Sequence, residues 1–113
     1  MPGAFLPEFE LYVMLAVRRL GDEAYGARVR QEIEARTGRP VSIGALYTTL
    51  ARLEDKGYLK LRTGRAEPGQ RGRTRRYSRL TARGTEALRH SATMLTRMMD
   101  GLELVAGKPR SRG

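Results

Sequence analysis

PVSIGALYTTLARLEDKGYLKL, residues 40–61, decides how this chain folds. Ile43, Leu46, Leu50 and Leu53 recur at spacings of three and four, which puts them on one face of a helix. Tyr47 and Glu54 flank that face, and Gly44, Ala45, Thr48, Thr49, Arg52 and Lys56 fall on the other side. Ser42 supplies an N-cap hydroxyl for free backbone N–H groups, and Gly57 a stop. The expected helix is buried along one side and carries small, polar, mildly basic residues on the other. Small residues let a helix come close to another surface, and Thr and Arg can read base edges. Most outward polar faces are simply solvated, so the weight falls on the segments around this one.

Working outward, residues 25–37 (YGARVRQEIEART) predict a preceding helix with Tyr25, Val29 and Ile33 as a narrow apolar stripe. Gly38 ends it and Pro40 prevents its continuation. The short link between the two helices suits a helix-turn-helix. Residues 21–24 read as a turn. Before them, residues 5–20 (FLPEFELYVMLAVRRL) predict a first helix, with Pro7 in its first turn. Phe9, Val13, Ala16, Val17 and Leu20 make one stripe, and Leu11, Met14 and Leu15 a second beside it. Two stripes need two covers: a central place in a monomer core, or a partner helix from another subunit.

Beyond Gly57 the period changes to two. Leu59 and Leu61 alternate with Lys60 and Arg62. Residues 64–72 have loop composition, and TRRYSRL, residues 74–80, resumes a strand pattern with Tyr77 expected to point inward. This hairpin holds eight basic residues, Lys60, Arg62, Arg65, Arg71, Arg73, Arg75, Arg76 and Arg79, against Glu67 as its one acid. Such a hairpin repels itself unless a polyanion neutralises it. Thr81 caps a fourth helix expected over residues 82–105, where Leu88, Ala92, Leu95, Met99 and Leu102 form a heptad seam widened by Met94 and Met98. Pairing with a second copy is the simplest way to bury that seam. Residues 106–113 read as a disordered tail.

Composition sets the outer limits. A length of 113 residues fits one domain. No apolar run is long enough to span a bilayer, and no secretory signal is recognisable at the N-terminus. Cysteine is absent and His90 is the single histidine, so no zinc site, other metal or cofactor is expected, and a cytoplasmic location is the natural expectation. The net charge of +10 is unevenly placed: residues 1–57 hold eight basic and eight acidic side chains, residues 58–113 fourteen and four. That asymmetry points to a polyanion, nucleic acid before a membrane surface. Catalysis has little to rest on. His90 and Ser91 are adjacent on a helix and do not face each other. The acid pairs Asp22-Glu23 and Glu54-Asp55 suit surface roles, and GQRGR lacks the ending of a phosphate loop.

The expected architecture is mainly α with a small β-hairpin: a winged helix-turn-helix over residues 1–80, a dimerisation helix over 81–105, and the tail. The third helix would enter the major groove, and Arg71, Arg73, Arg75 and Arg76 are the best candidates to reach phosphates or the minor groove. Leu11 and Leu15, with Leu88, Ala92, Leu95, Met99 and Leu102, are the candidate dimer residues. Two rivals stand beside this reading. One is a winged-helix module binding protein or RNA without repressor activity. The other is a membrane-surface protein, which the heptad spacing of the fourth helix fits poorly.

These residues resemble a known family. IGALYTTLARLEDKGYL is similar to the recognition helix of the PadR-like transcriptional regulators, EAYGARVRQEIEARTG to their second helix, RRYSRLTARG to their second wing strand and cap, and FELYVMLAVRRLGDEAYG to their first helix. The likeness covers residues 5–90. It implies a homodimeric winged-helix regulator of double-stranded DNA, usually a repressor, with the C-terminal helix at the dimer contact. Carried over by position, Ser42, Gly44, Tyr47, Thr48, Thr49 and Arg52 would face DNA; Tyr47 could equally serve the fold. Tyr25 and Gly26 match the family's Tyr-Gly pair, a packing feature. With one C-terminal helix the chain resembles the short subgroup. Some relatives sense small molecules at the dimer interface, where Met94, Met98 and Met99 could line a site, but a plain dimer core is the simpler reading and any effector stays unknown.

Overall fold

In the computed structural model, residues 6–65 and 74–105 are described. The elements run α1 (Glu8–Leu20), a 3-10 turn (Gly21–Glu23), α2 (Gly26–Thr37), α3 (Ile43–Asp55), β1 (Leu59–Arg65), β2 (Thr74–Leu80) and α4 (Ala82–Met99). The hairpin tip, with Arg71 and Arg73, and the expected tail lie outside the described residues.

Proline sets the start of α1. Pro7 is the extended N-cap, so the helix begins at Glu8 rather than two residues before Pro7. Glu8 and Glu10 lie in its first turn and Arg18 and Arg19 in its last, each complementing the helix dipole. Both apolar stripes enter the protomer's own core: Val13, Met14, Ala16 and Val17 are buried, and Leu11 packs half-buried against them. Only Leu15 of these is left outside. Across α1 lie Val29 and Ile33 of α2 and Leu46, Leu50 and Leu53 of α3.

The link between α2 and α3 is tied at both sides. Gly38 ends α2 with φ +70°, its N–H donating to the Glu34 carbonyl. The Glu34 carboxylate accepts from the Val41 N–H at 2.8 Å. Arg39 lies 3.2 Å from the Glu8 carboxylate and stacks 5.4 Å from the Phe9 ring centre, which holds the link to the start of α1.

β1 and β2 pair antiparallel, with Leu59 opposite Leu80, Leu61 opposite Ser78, and Arg62 opposite Tyr77. Because strand side chains alternate, the sheet has two unlike faces. Leu59, Leu61, Ser78 and Leu80 turn to the core; Lys60, Arg62 and Arg79 are exposed on the other face. Tyr77 belongs to this outer face, against the expectation that it points inward. Ser78 takes the inward place because the Ala24–Tyr25 segment adds to the free edge of β2: the Ser78 N–H donates to the Ala24 carbonyl at 2.8 Å, and Tyr25 pairs with Tyr77.

α4 is fastened to the hairpin base. The Thr81 hydroxyl donates to the Gly57 carbonyl at 2.6 Å and accepts from the Gly84 N–H at 2.9 Å, while the Thr81 N–H donates to the Tyr58 carbonyl at 3.0 Å. α4 crosses so close here that a Cβ on Gly84 would collide with the Tyr58 carbonyl. One turn on, Leu88 sits in the same core at 5 % exposure. Leu88 is therefore not available to a second subunit, contrary to its place in the expected seam. The helix stops at Met99, and Gly101 follows with φ +82°, so Leu102 lies beyond the helix and not on its heptad stripe.

Candidate nucleic-acid interface

α3 buries Leu46, Thr49, Leu50 and Leu53. The buried stripe is rotated slightly from the expected one. Thr49, expected outward, is 5 % exposed, and Ile43, expected inward, is 43 % exposed. Thr49 lies three residues after Leu46 and four before Leu53, inside the contact stripe. Ile43, in the first turn, reaches past the edge of the core. The outward side comprises Gly44, Ala45, Thr48, Ala51 and Arg52, all exposed. Ala51 was missed in the sequence because an alanine counts toward either face; its spacing of three from Thr48 is the signal that places it.

Ser42 caps α3, its hydroxyl accepting from the Ala45 N–H at 3.1 Å. The Tyr47 ring spans to α2, where its hydroxyl end occupies the space a side chain at residue 26 would need, so Gly26 permits the contact. One part of Tyr47 thus serves the fold and the remainder is exposed. Arg52 leans back toward α1: its guanidinium is 3.8 Å from the Glu10 carboxylate, which also holds the Lys56 ammonium at 2.8 Å. Glu10 is 3 % exposed, so this buried carboxylate pins the C-terminal end of α3 to α1.

Charge is handled differently in the helices and in the hairpin. Arg30 pairs with Glu34, Arg36 with Glu32, Arg39 with Glu8 and Arg52 with Glu10. The hydrogen bond from Arg36 holds the Glu32 carboxyl below the usual glutamate range. Among the described residues, Lys60, Arg62, Arg76 and Arg79 form no ion pair. Arg62 lies over the Tyr77 ring at 4.6 Å and Arg75 over the Tyr25 ring at 4.0 Å, and the two rings meet edge to face at 5.6 Å.

Of the expected dimer residues, Leu15, Ala92, Leu95 and Leu102 are exposed, Leu11 and Met99 half-buried, and Leu88 buried. Met98 is 78 % exposed. No group of three or more potential metal-ligating acids, histidines or cysteines occurs among the described residues, and none of their helices is long and apolar enough to cross a membrane.

A helix-turn-helix whose second helix leads into a basic antiparallel hairpin is a winged-helix protein. The sequence profile of the transcriptional regulator PadR-like family matches residues 14–90. The chain belongs to that family, and it is a transcriptional regulator, not an enzyme. It is similar to a solved PadR-like transcription factor from Bacteroides fragilis, with 26 % identity and a TM-score of 0.67 over 88 % of this chain and 90 % of that one. A PadR family transcriptional regulator from Eggerthella lenta is 30 % identical, with a TM-score of 0.62 over 87 % of this chain and 88 % of that one. F93 from STIV, a winged-helix DNA-binding protein, shares the fold at 19 % identity and a TM-score of 0.64 over 87 % of this chain and 98 % of that one. No curated protein matches the chain.

Proposed function

We propose that the protein binds double-stranded DNA as a homodimer, reads a palindromic operator and represses transcription in the cytoplasm. The observation that carries this reading is the set of exposed hairpin cations Lys60, Arg62, Arg76 and Arg79, which have no ion-pair partner among the described residues, directly after a helix whose outward side is Gly44, Ala45, Thr48, Ala51 and Arg52. Small side chains let α3 approach a groove floor, and Thr48 with Arg52 offers hydrogen bonds to base edges. Arg75 and Arg76, with Arg71 and Arg73 of the tip, supply phosphate contacts that set register.

Dimerisation rests on exposed apolar side chains: Leu15 on α1, Leu95 and Met98 on α4, and Leu102, Leu104 and Val105 after it. A monomer in water rarely leaves so many large apolar groups open together. Leu88, buried in the protomer core, supports reading the first turns of α4 with the DNA-binding unit and its later turns as the pairing surface. Two recognition helices related by a two-fold axis would then read half-sites about 10 base pairs apart.

Mobility-shift titration on duplexes selected from a random pool tests the reading. If each subunit neutralises about four phosphates, log K falls with log salt at a slope of about −7. A flat salt response, or failure of the pool to enrich any duplex, removes it. Sedimentation separately tests the dimer, which a monomer at all working concentrations would contradict. Repression follows from a reporter carrying the selected site upstream; unchanged or raised expression opposes it.

A further inference from the structure

We infer that Glu10 is a positioning residue for base recognition: its buried carboxylate draws the Arg52 guanidinium to one edge of α3, where the arginine reads a guanine in each half-site. The inference rests on the DNA-binding reading above and deepens it. It names the base that α3 selects and a residue of α1 that enforces the choice.

Three observations carry it. The first is that the two oxygens of one carboxylate are used unequally. Glu10 is 3 % exposed. Its Oε1 accepts a hydrogen bond from the Lys56 ammonium at 2.8 Å, while its Oε2 lies 3.8 Å from Nη1 of Arg52. Lys56 is the bonded partner. Arg52 is attracted to the carboxylate without being closed onto it, so the N–H groups of its guanidinium remain for another acceptor.

The second is that Glu10 keeps its place without Arg52. It stands in the first turn of α1, where the helix dipole favours a negative charge, and the Lys56 ammonium bonds it from α3. The carboxylate is therefore a fixed reference point. An arginine side chain left to itself sweeps a wide arc. A fixed attraction on one side narrows that arc before a ligand arrives, which lowers the entropy cost of binding.

The third is where Arg52 stands. Its side chain is 55 % exposed, against 38 % for Lys56 one turn on. Thr48, one turn before it, and Ala51 beside it are exposed and too short to cover its outer edge. Guanine offers O6 and N7 side by side in the major groove, a pair that the fork of an arginine fits. An arginine free to swing would meet phosphates as readily as bases. Tethered from α1, it is held to one direction, and that direction becomes a base preference.

The test measures binding of the full chain to the selected duplex, to a set carrying each single base-pair substitution in both half-sites, and to a mixed-sequence duplex. Arg52→Ala is expected to lose about tenfold discrimination at one G·C pair. Glu10→Gln is expected to lose about fivefold at that same pair and to bind the mixed-sequence duplex no more weakly than the wild type, since the variant has lost an acid. In the Arg52→Ala background, Glu10→Gln should change the preference no further. Any loss of folded protein lowers binding to all duplexes alike and cancels in these ratios. Glu10→Asp, which keeps the charge and draws it back by one carbon, should give the same selective loss with a smaller change in thermal midpoint. If Arg52→Ala loses the preference while both Glu10 variants keep it, or weaken every duplex in equal proportion, Glu10 is a structural tie alone and the DNA-binding reading stands. If Arg52→Ala keeps the wild-type preference at every G·C pair, the arginine reads no guanine and the inference fails with that reading intact. If the wild type binds no duplex, both fall together.

Discussion

The helical body and the hairpin carry similar side chains and treat them in opposite ways. In the body Arg30, Arg36, Arg39 and Arg52 each lie against a glutamate, and Glu10 is buried between two cations at the junction of α1 and α3. In the hairpin Lys60, Arg62, Arg76 and Arg79 have no such partner among the described residues, and aromatic faces hold Arg62 and Arg75. A charge hydrogen-bonded within the chain contributes to the fold and offers little to a ligand; Arg52, exposed and 3.8 Å from Glu10, is held less closely and keeps that capacity. A charge left open contributes nothing to the fold, or opposes it, and is available to a polyanion. Part of the net charge of +10 is thus carried by Lys60, Arg62 and Arg79 on the exposed face of the hairpin, opposite the face that packs on the core.

Substitutions should therefore separate into those that cost stability and those that cost binding. The largest loss of stability is expected where the two regions are joined. Gly84→Ala forces a methyl group into the Tyr58 carbonyl, and α4 must shift off the hairpin base; about 3 kcal/mol is expected in urea denaturation. A loss of a few tenths would mean that the seam is loose and the two regions are mechanically independent. Next comes Glu10→Ala, which removes the buried acceptor of Lys56 and Arg52 and should cost about 2 kcal/mol. Set beside it, Arg76→Ala should leave stability within about 0.5 kcal/mol, as for exposed sites generally, yet weaken duplex binding across all sequences. Equal stability losses from these two variants would erase the contrast between body and hairpin.

The smallest effect concerns Glu32. Its carboxyl titrates below the ordinary glutamate range because Arg36 donates a hydrogen bond to the ionised form. A folded pKa lower than the unfolded one means the contribution is present above the unfolded value. It fades as pH falls through the lowered one. A side-chain NMR titration should give a depressed midpoint that Arg36→Gln returns to the usual range. An unchanged midpoint in Arg36→Gln would show that the body's surface pairs do not hold their glutamates in the charged form.

The reading of residues 40–61 anticipated α3, its Ser42 cap, the turn before it and the strand after it, since each depends on neighbours a few residues away. Thr49, Tyr77 and Leu88 went elsewhere. A periodicity of three and four locates a buried face only to within part of a residue, so Thr49 and Ile43 could exchange roles without altering the pattern. Tyr77 has more apolar surface to bury than Ser78, so composition alone assigns the inward side of β2 to the wrong residue. The pairing of the Ala24–Tyr25 segment with that strand is a contact between distant residues and leaves no local mark.

What the chain determines by itself is what lies close along it: the order of helices and hairpin, the caps at Ser42 and Thr81, the stop at Gly38, and the gathering of excess positive charge after residue 57. Only the tertiary structure decided which charges are neutralised at home, that Leu88 belongs to the protomer core, and that two tyrosines from separate segments hold two arginines on one face. Local preferences fix backbone shape through neighbouring dihedrals and hydrogen bonds. Burial and pairing are set by whatever opposing surface the folded chain brings within a few ångströms.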